Sequence, residues 1–564
     1  MLSMIVGRGR PQARLPRMQV RVALLISLLS LLLFTLGPPD GLIATLFRRQ
    51  DLPILLIGAA LLVMLAFSRL ESPEWPRPAP GLSVAALALA VLAVSAAGTW
   101  LVFADFPLIR DEILADFDAA FLATGQLVAP IPAEWRPYTQ ALMPQFMLQI
   151  PAETGWLSAY LPGNAALRAI GERTIGMEWT NPLLAALSVV AVYRVGRRLW
   201  PQAPGASMVA ALLMATSAQV LTMAMTPFAM TAHLALNLIW LWCFLRRDWK
   251  GDAGALAAGF VATGLHQLIF HPLFVAPFIV QLLLRREHGR ALLYIACYAA
   301  IGLFWASYWQ IVVAAAGGGE VAAETGPSYL AARILALLSA IEPSGIITMT
   351  FNLARFVAWQ NPLLLPLALL AWPALRHGEG IARPLAGGIL LTLAAMLVLL
   401  PSQGFGWGYR YLHGLIGSFC LLAGYGWQTL AEERRRGFML AAASVATMLI
   451  ILPVQLKGAH DYTAPRARTY ARVAQAPADI VIIVPFQDMY DGLIRNLPDL
   501  SNRPKVMDMR ELSETQLDSL CTRYRVALFD ITSGLRVGLP TTAPPDWVAR
   551  FSAASNGISC GALL

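Results

Sequence analysis

Residues 83–116 read SVAALALAVLAVSAAGTWLVFADFPLIRDEILAD. The stretch runs apolar from Ser83 to Phe103, long enough for the roughly 20 residues that cross a ~30 Å hydrocarbon core. Asp105 and the triplet Arg110-Asp111-Glu112 then follow almost at once. Charged groups are costly within bilayers, so adjacent carboxylates at a membrane boundary call for a chemical reason.

Outward from this point the same pattern repeats. The 564-residue chain is 57% hydrophobic and 13% charged, well below the roughly one-quarter charged residues of soluble domains. Membrane-length apolar runs lie at 22–37, 52–68, 83–103, 179–196, 204–224, 229–245, 291–313, 359–375, 384–400, 411–430 and 437–453. The stretch 253–284 is too long for one helix and is expected to break near His271-Pro272, because proline interrupts a helix interior. The expected fold is an all-α polytopic membrane protein of about thirteen transmembrane helices, with a small C-terminal extracytoplasmic α/β domain. The first run, after Arg8, Arg10, Arg14, Arg17 and Arg21, reads as a retained anchor rather than a cleaved leader, since another span follows closely.

Positive charge orients the spans. With the N-terminus inside, the cytoplasmic connections hold 21 lysines and arginines in 72 positions, and the opposite-side connections 9 in 144. Only Arg48-Arg49 runs against this asymmetry. The expectation is a multi-pass cell (inner) membrane protein with outer loops at 104–178 and 314–358. It divides into an N-terminal cytoplasmic segment with two extra helices (1–82), a transmembrane core (83–453) and a soluble extracytoplasmic domain (454–564). In the second loop, two stretches read as interfacial amphipathic helices with Arg333 and Arg355 on their polar sides. In the tail, Asp479–Val484 and Arg525–Asp530 read as strands and Glu511–Tyr524 as a helix.

The net charge of +9 does not indicate nucleic acid, because the arginines cluster at span ends instead of forming a basic face. Cys243, Cys297 and Cys420 lie in apolar runs and read as small buried hydrophobes. Cys521 and Cys560, both in the tail, are the two that could pair in an oxidising compartment.

Three outward-facing groups remain as chemical candidates. In the first, a helix after Pro107 places Glu112 and Asp116 on one face and Asp111 on another. A carboxylate raised in pKa at the boundary suits proton removal from a hydroxyl; the plainer reading is solvated acids opening a loop helix. The second is Tyr160-Leu161-Pro162-Gly163 with Asn181-Pro182-Leu183-Leu184, where Pro-Gly alone marks only a turn. The third is Trp407-Gly408-Tyr409-Arg410-Tyr411. Its aromatics stack on sugar faces or anchor at headgroups, and its arginine pairs with phosphate. His266 and His271 are five residues apart, which matches neither common helical metal spacing. Asp111, Glu112 and Asp116 could hold a hard divalent ion, but a metal-free site is expected, and no cofactor.

In this order, the acidic pair, the Tyr-x-Pro-Gly stretch, Asn-Pro-Leu-Leu, Gly-Arg-Arg-Leu-Trp at Gly196–Trp200 and Trp-Gly-x-Arg-Tyr at Trp407–Tyr411 resemble the GT-C superfamily of membrane glycosyltransferases. That group contains the protein O-mannosyltransferases and lipid A aminoarabinose transferases, and the likeness covers about residues 83–430. It implies transfer of a sugar from a polyprenyl-phosphate donor to a hydroxyl of a glycan, lipid or protein on the outer face, usually with inversion. It also implies Asp111 as general base with Glu112 assisting, and Arg410, His266, His271, Tyr160, Trp407 and Tyr411 around the donor phosphate and sugar. Where relatives carry a lysine at the outer end of the span near 253–268, this chain has His266 and Gln267. The alternatives are a lipid-linked glycan transporter and a non-catalytic subunit of envelope glycan assembly. Transport predicts ionisable groups near the bilayer midplane, whereas nearly all charges here lie at span ends.

Overall fold

The computed structural model describes residues 14–38, 41–72, 80–319, 343–430, 434–484, 490–536, 538 and 562–563. The helices that organise it are α1 (Arg14–Leu36), α2 (Leu42–Phe67), α3 (Pro80–Leu101), α4 (Arg110–Ala123), α5 (Gly163–Glu172), α6 (Thr180–Leu199), α7 (Pro204–Ala215), α8 (Ala218–Ala224), α9 (Met230–Phe244) and α10 (Trp249–Thr263). They continue as α11 (Phe270–Leu284), α12 (His288–Ala306), α13 (Pro343–Ala358), α14 (Ala382–Leu399), α15 (Ile416–Gln428), α16 (Arg434–Ala474) and α17 (Glu514–Arg523).

Among the described residues, six helices (α1, α2, α3, α12, α14 and α16) are long and apolar enough to cross a membrane, and seven if α7 and α8, bent by 54°, form one span. The chain is a multi-pass membrane protein, although this criterion does not reach the thirteen spans expected from hydropathy. Several remaining apolar runs form shorter helices: α9 and α11 have 15 residues each and α15 has 13. Helices of that length are commonly packed among neighbours rather than spanning alone. Trp240 on α9, wholly buried, ties α9 to α11 and α12; its ring meets Phe244, Phe274, Phe278 and Tyr294 at centroid distances of 4.7 to 6.1 Å. Such aromatic pairs add about 0.5–1.5 kcal/mol each beyond area burial.

Two local expectations change. The break within 253–284 falls at Gly264–Ile269, between α10 and α11. Pro272 sits in the first turn of α11, where its missing N–H costs nothing. Arg355 is not on a polar surface: it is 1% exposed, and its Nε lies 3.4 Å from Oδ2 of the fully buried Asp51. The Trp359 indole N–H donates to the other Asp51 oxygen at 2.8 Å. An amphipathic pattern with one arginine fits an interfacial helix and a buried ion pair equally well, and the partner lies far away in α2. Arg333 falls outside the described residues.

Helix α16 runs unbroken past residue 454, the position at which composition divides core from tail. Beyond it, β1 (Ile480–Ile483), β2 (Lys505–Asp508), β3 (Val526–Phe529) and β4 (Ala562–Leu563) form a parallel sheet in the order β2-β1-β3-β4. All four β1 residues are buried, as a central parallel strand requires. Helix α17 leads into β3; Ser513 and Gln516 close its N-terminus with a reciprocal capping box. Cys521 is disulfide-bonded, while Cys560 lies outside the described residues.

The tail rests on the segment between α3 and α6 through polar contacts that are specific in direction. Trp156 Nε1 donates to the Pro498 carbonyl at 2.9 Å, Asn496 Nδ2 to that of Leu142 at 2.9 Å and Gln516 Nε2 to that of Pro137 at 2.7 Å. Trp156, fully buried, is donor-only at its indole nitrogen, so a tail carbonyl satisfies the group that burial would otherwise orphan.

Candidate active site

The site begins with how α4 starts. Pro107 and the extended Ile109 end the incoming segment. The Glu112 carboxylate turns back to accept the N–H groups of Leu108 and Ile109 at 3.0 and 3.1 Å. These are amides that a helix N-terminus leaves without partners. Isoleucine has no oxygen to return the favour, so Glu112 alone closes this end. Burial pushes its carboxyl up to about 8, with the two backbone N–H groups opposing and Asp111 and Asp116 adding to the rise.

With Glu112 so engaged, Asp111 points to the other side. Its Oδ1 accepts the Tyr160 hydroxyl at 2.5 Å, and its Oδ2 accepts Nη1 of Arg410. His266 Nε2 stands 3.9 Å from the same Oδ2. Burial alone would raise this carboxyl; Arg410, His266 and the Tyr160 hydroxyl outweigh it and hold it at about 2. The expectation of a raised carboxyl therefore fails at Asp111 in this state, because its counter-cation is in contact. Burial lowers His266 to about 4, Asp111 opposing and Arg410 adding, so its imidazole is neutral at pH 7.

Tyr160 and His266 are held by backbone. The Leu161, Gly163 and Asn164 N–H groups donate to the carbonyls of His266, Gly264 and Leu265 at 3.2, 2.7 and 3.1 Å. The Pro-Gly stretch is thus a strap across the α10–α11 turn. Glycine is required there: a Cβ on Gly163 would lie 2.6 Å from the Gly264 carbonyl oxygen. The strap brings the Tyr160 and His266 rings together, centroids 4.0 Å apart and tilted by 31°.

Arg410 is positioned by residues absent from the sequence-derived candidates. Gln403 accepts the Arg410 backbone N–H at 2.8 Å and donates to the Gly408 carbonyl at 2.9 Å. Gln219 donates to the Tyr409 carbonyl at 2.9 Å, and is itself bonded by Gln360, which accepts from Ser217. Gly408 has φ +68, and an added Cβ would meet the Gln219 side chain at 2.6 Å. The available signal was buried amides in otherwise apolar segments, which require partners. Arg410 Nη2 donates to the Gln403 carbonyl, while Nε is buried with no partner among the described residues. The guanidinium also lies 5.3 Å from the Tyr411 ring centroid and 5.6 Å from that of Phe228.

Four of the eight candidates, Asp111, Tyr160, His266 and Arg410, therefore meet, and Tyr411 flanks them. The other three lie elsewhere. Glu112 faces its own backbone. His271 is buried between Asn237 Oδ1 and the Tyr298 hydroxyl, 2.7 Å from each. Trp407 is 1% exposed, packed edge-on against Phe103 at 5.3 Å. Asn181 has a structural task, donating to the Phe228 carbonyl at 2.8 Å and to that of Thr226 at 2.5 Å. The acids also diverge: Asp116 pairs with Arg168 at 2.5 Å, and Asp118 accepts the hydroxyl and N–H of Ser158. No group of three metal-ligating acids, histidines or cysteines forms among the described residues.

No protein-family model and no curated protein matches the chain. It is similar to solved structures of ArnT from Cupriavidus metallidurans. With the apo form it shares 12% identity, and with the form bound to undecaprenyl phosphate 14%; each alignment covers 86% of this chain and 89% of that one, at a TM-score of 0.48.

Proposed function

We infer that the chain is a membrane glycosyltransferase that moves a sugar from a polyprenyl phosphate to an acceptor hydroxyl on the extracytoplasmic face, with inversion. The observation that carries this reading is the contact of Asp111 with Arg410, 299 positions apart in sequence, with Tyr160 and His266 on the same carboxylate. A proton acceptor beside an arginine is what displacement at a sugar phosphate needs: one group deprotonates the nucleophile, the other stabilises the leaving anion.

In the reaction, the acceptor oxygen attacks the anomeric carbon and the bond from that carbon to the phosphate oxygen breaks. The electron pair leaves on polyprenyl phosphate, and the hydroxyl proton passes to Asp111. Arg410 and His266 bind the phosphate, and Tyr160 and Tyr411 border the sugar. A carboxylate held at about 2 is a weak base. The arriving phosphate competes for the Arg410 guanidinium, whose Nε is still unpartnered, and so frees Asp111. Without its counter-cation, the buried carboxylate gains proton affinity. Donor binding thereby switches on the base. Glu112 contributes by fixing the first turn of α4, not by touching the acceptor.

Deleting the gene and profiling cell glycolipids tests the function. The expected outcome is accumulation of a polyprenyl-phosphate sugar together with an acceptor lacking that sugar. Unchanged pools of both would overturn it.

A further inference from the structure

A second concavity lies on the far side of α4. From Asp111, Ile113, Asp116, Phe117 and Ala120 fall roughly 140–240° around the helix at about 100° per residue, and these four line a cleft of about 830 Å³. Its other walls are the segment from Ala104 to Pro107, the end of α16 and tail residues 495–506. Asp111, Tyr160, His266 and Arg410 are not among its walls, so it is distinct from that cluster.

The depth of the cleft is set by two spans. Its first wall starts three residues after Leu101, the end of α3. On the other side, His460 Nδ1 lies 3.2 Å from the Val102 carbonyl, which fixes that point of α16 at the same level. Helix α16 has 41 residues, about 60 Å at 1.5 Å per residue, twice what the hydrocarbon core needs. Its face of Ala464, Ala467, Ala471 and Ala474 therefore rises from about 6 to about 21 Å beyond that level at 1.5 Å per residue, with only the Ala464 end near the headgroup layer.

The charge there is cationic. Arg468, Arg495 and Arg503 line the cleft. The acids lining it are Asp105 and Asp116, the latter already bonded to Arg168, and Glu112 as well as Asp116 acts on Arg495 from α4. Burial and the neighbouring Asp116 and Glu178 push Asp105 up to about 6. The Arg495 guanidinium is clamped 4.1 Å from the Phe106 ring centroid and 4.8 Å from that of Tyr470, with Nε donating to the Gly492 carbonyl at 2.6 Å. Both of its Nη groups are without a hydrogen-bond partner among the described residues, so a planar double donor is held ready at the cleft wall. Such a fork matches a phosphate oxygen pair.

We propose that this cleft seats the headgroup of an anionic phospholipid drawn up from the membrane surface, its phosphate on Arg495 and its glycerol at the Ala464 end of the alanine face of α16. The lipid would join the tail, α4 and the membrane surface in one assembly, independently of the transfer reaction.

The test uses the full-length protein in nanodiscs of phosphatidylcholine alone or with about one-third phosphatidylglycerol, reading thermal stability, and native mass spectrometry of retained lipid. Phosphatidylglycerol should raise the melting temperature and be retained preferentially. Arg495→Gln should remove most of both effects, and so should Ala467→Leu, which fills the cleft while leaving every charge in place. The exposed Arg523→Gln and the active-site Asp111→Asn should keep both effects, which separates this site from the catalytic reading. Equal stabilisation by the two lipids, or retention unaffected by both cleft variants, would overturn the proposal. So would inorganic phosphate reproducing the full shift in detergent without lipid, which would make the site one for a free anion.

Discussion

Replacing Glu112 by glutamine separates the two adjacent carboxyls. Glu112 is buried, closes α4 through two backbone N–H groups, and is displaced from 4.5 to about 8. At 1.36 kcal/mol per pKa unit, that displacement corresponds to roughly 5 kcal/mol between its protonation states. Its sign is set by linkage: a folded-state pKa above the unfolded value gives stability that is complete below pH 4.5 and declines as pH rises through about 8. Glutamine retains a carbonyl oxygen for both N–H groups but carries no titrating proton. Glu112→Gln should therefore match the wild type near pH 5 and exceed it progressively towards pH 9 in thermal unfolding of the purified protein. Transfer activity at neutral pH should stay within about threefold of wild type. Two results would refute the reasoning: an unchanged stability difference between pH 5 and 9, or a loss of transfer as complete as that expected at Asp111.

Other consequences follow from contacts already described. Gly163→Ala places a methyl against the Gly264 carbonyl, where only backbone can yield; overpacking of this kind costs about 1–3 kcal/mol. It should lower the melting temperature and reduce turnover, and wild-type values in both assays would contradict the strap. Arg410→Ala should weaken donor use more than acceptor use in initial-rate kinetics; an unchanged dependence on donor concentration would remove its phosphate role. For the buried pair, Asp51→Asn or Arg355→Met alone should cost about 3–5 kcal/mol, while the double variant recovers most of the loss. Additive losses in thermal unfolding would mean the two groups are not coupled.

Which polar residues stand near span ends was more legible in the sequence than how they pack. Asp111, Tyr160, His266 and Arg410 could be singled out because polar groups near membrane boundaries are few, and each needs a reason. The acid–tyrosine–arginine cluster they form depends on elements hundreds of residues apart, which no local pattern encodes. The same limit explains the misreadings. Periodicity identified the Arg355 helix but could not reveal Asp51 facing it, and the family resemblance made Glu112 an assistant of Asp111, whereas its carboxyl turns back onto its own backbone. Gln219 and Gln360, in apolar runs, and Gln403, in the connection at 401–410, went unnoticed because an amide carries no charge, although burial makes its hydrogen bonds obligatory. In the tail, β1 and β3 were readable from their apolar runs and α17 from the stretch Glu511–Tyr524. The β2 strand, Lys505–Asp508, is as short as β1 and β3 but has a charge at each end and only two apolar residues between, so no apolar run marks it.

The account turns on Asp111 as the proton acceptor. Asp111→Asn keeps the size of the side chain and an oxygen for the Tyr160 hydroxyl, while removing the basic site. Transfer from a polyprenyl-phosphate sugar, measured in membranes containing equal amounts of inserted wild-type and variant protein, should fall to background with donor binding retained. Wild-type rates from Asp111→Asn in that assay would contradict the assignment.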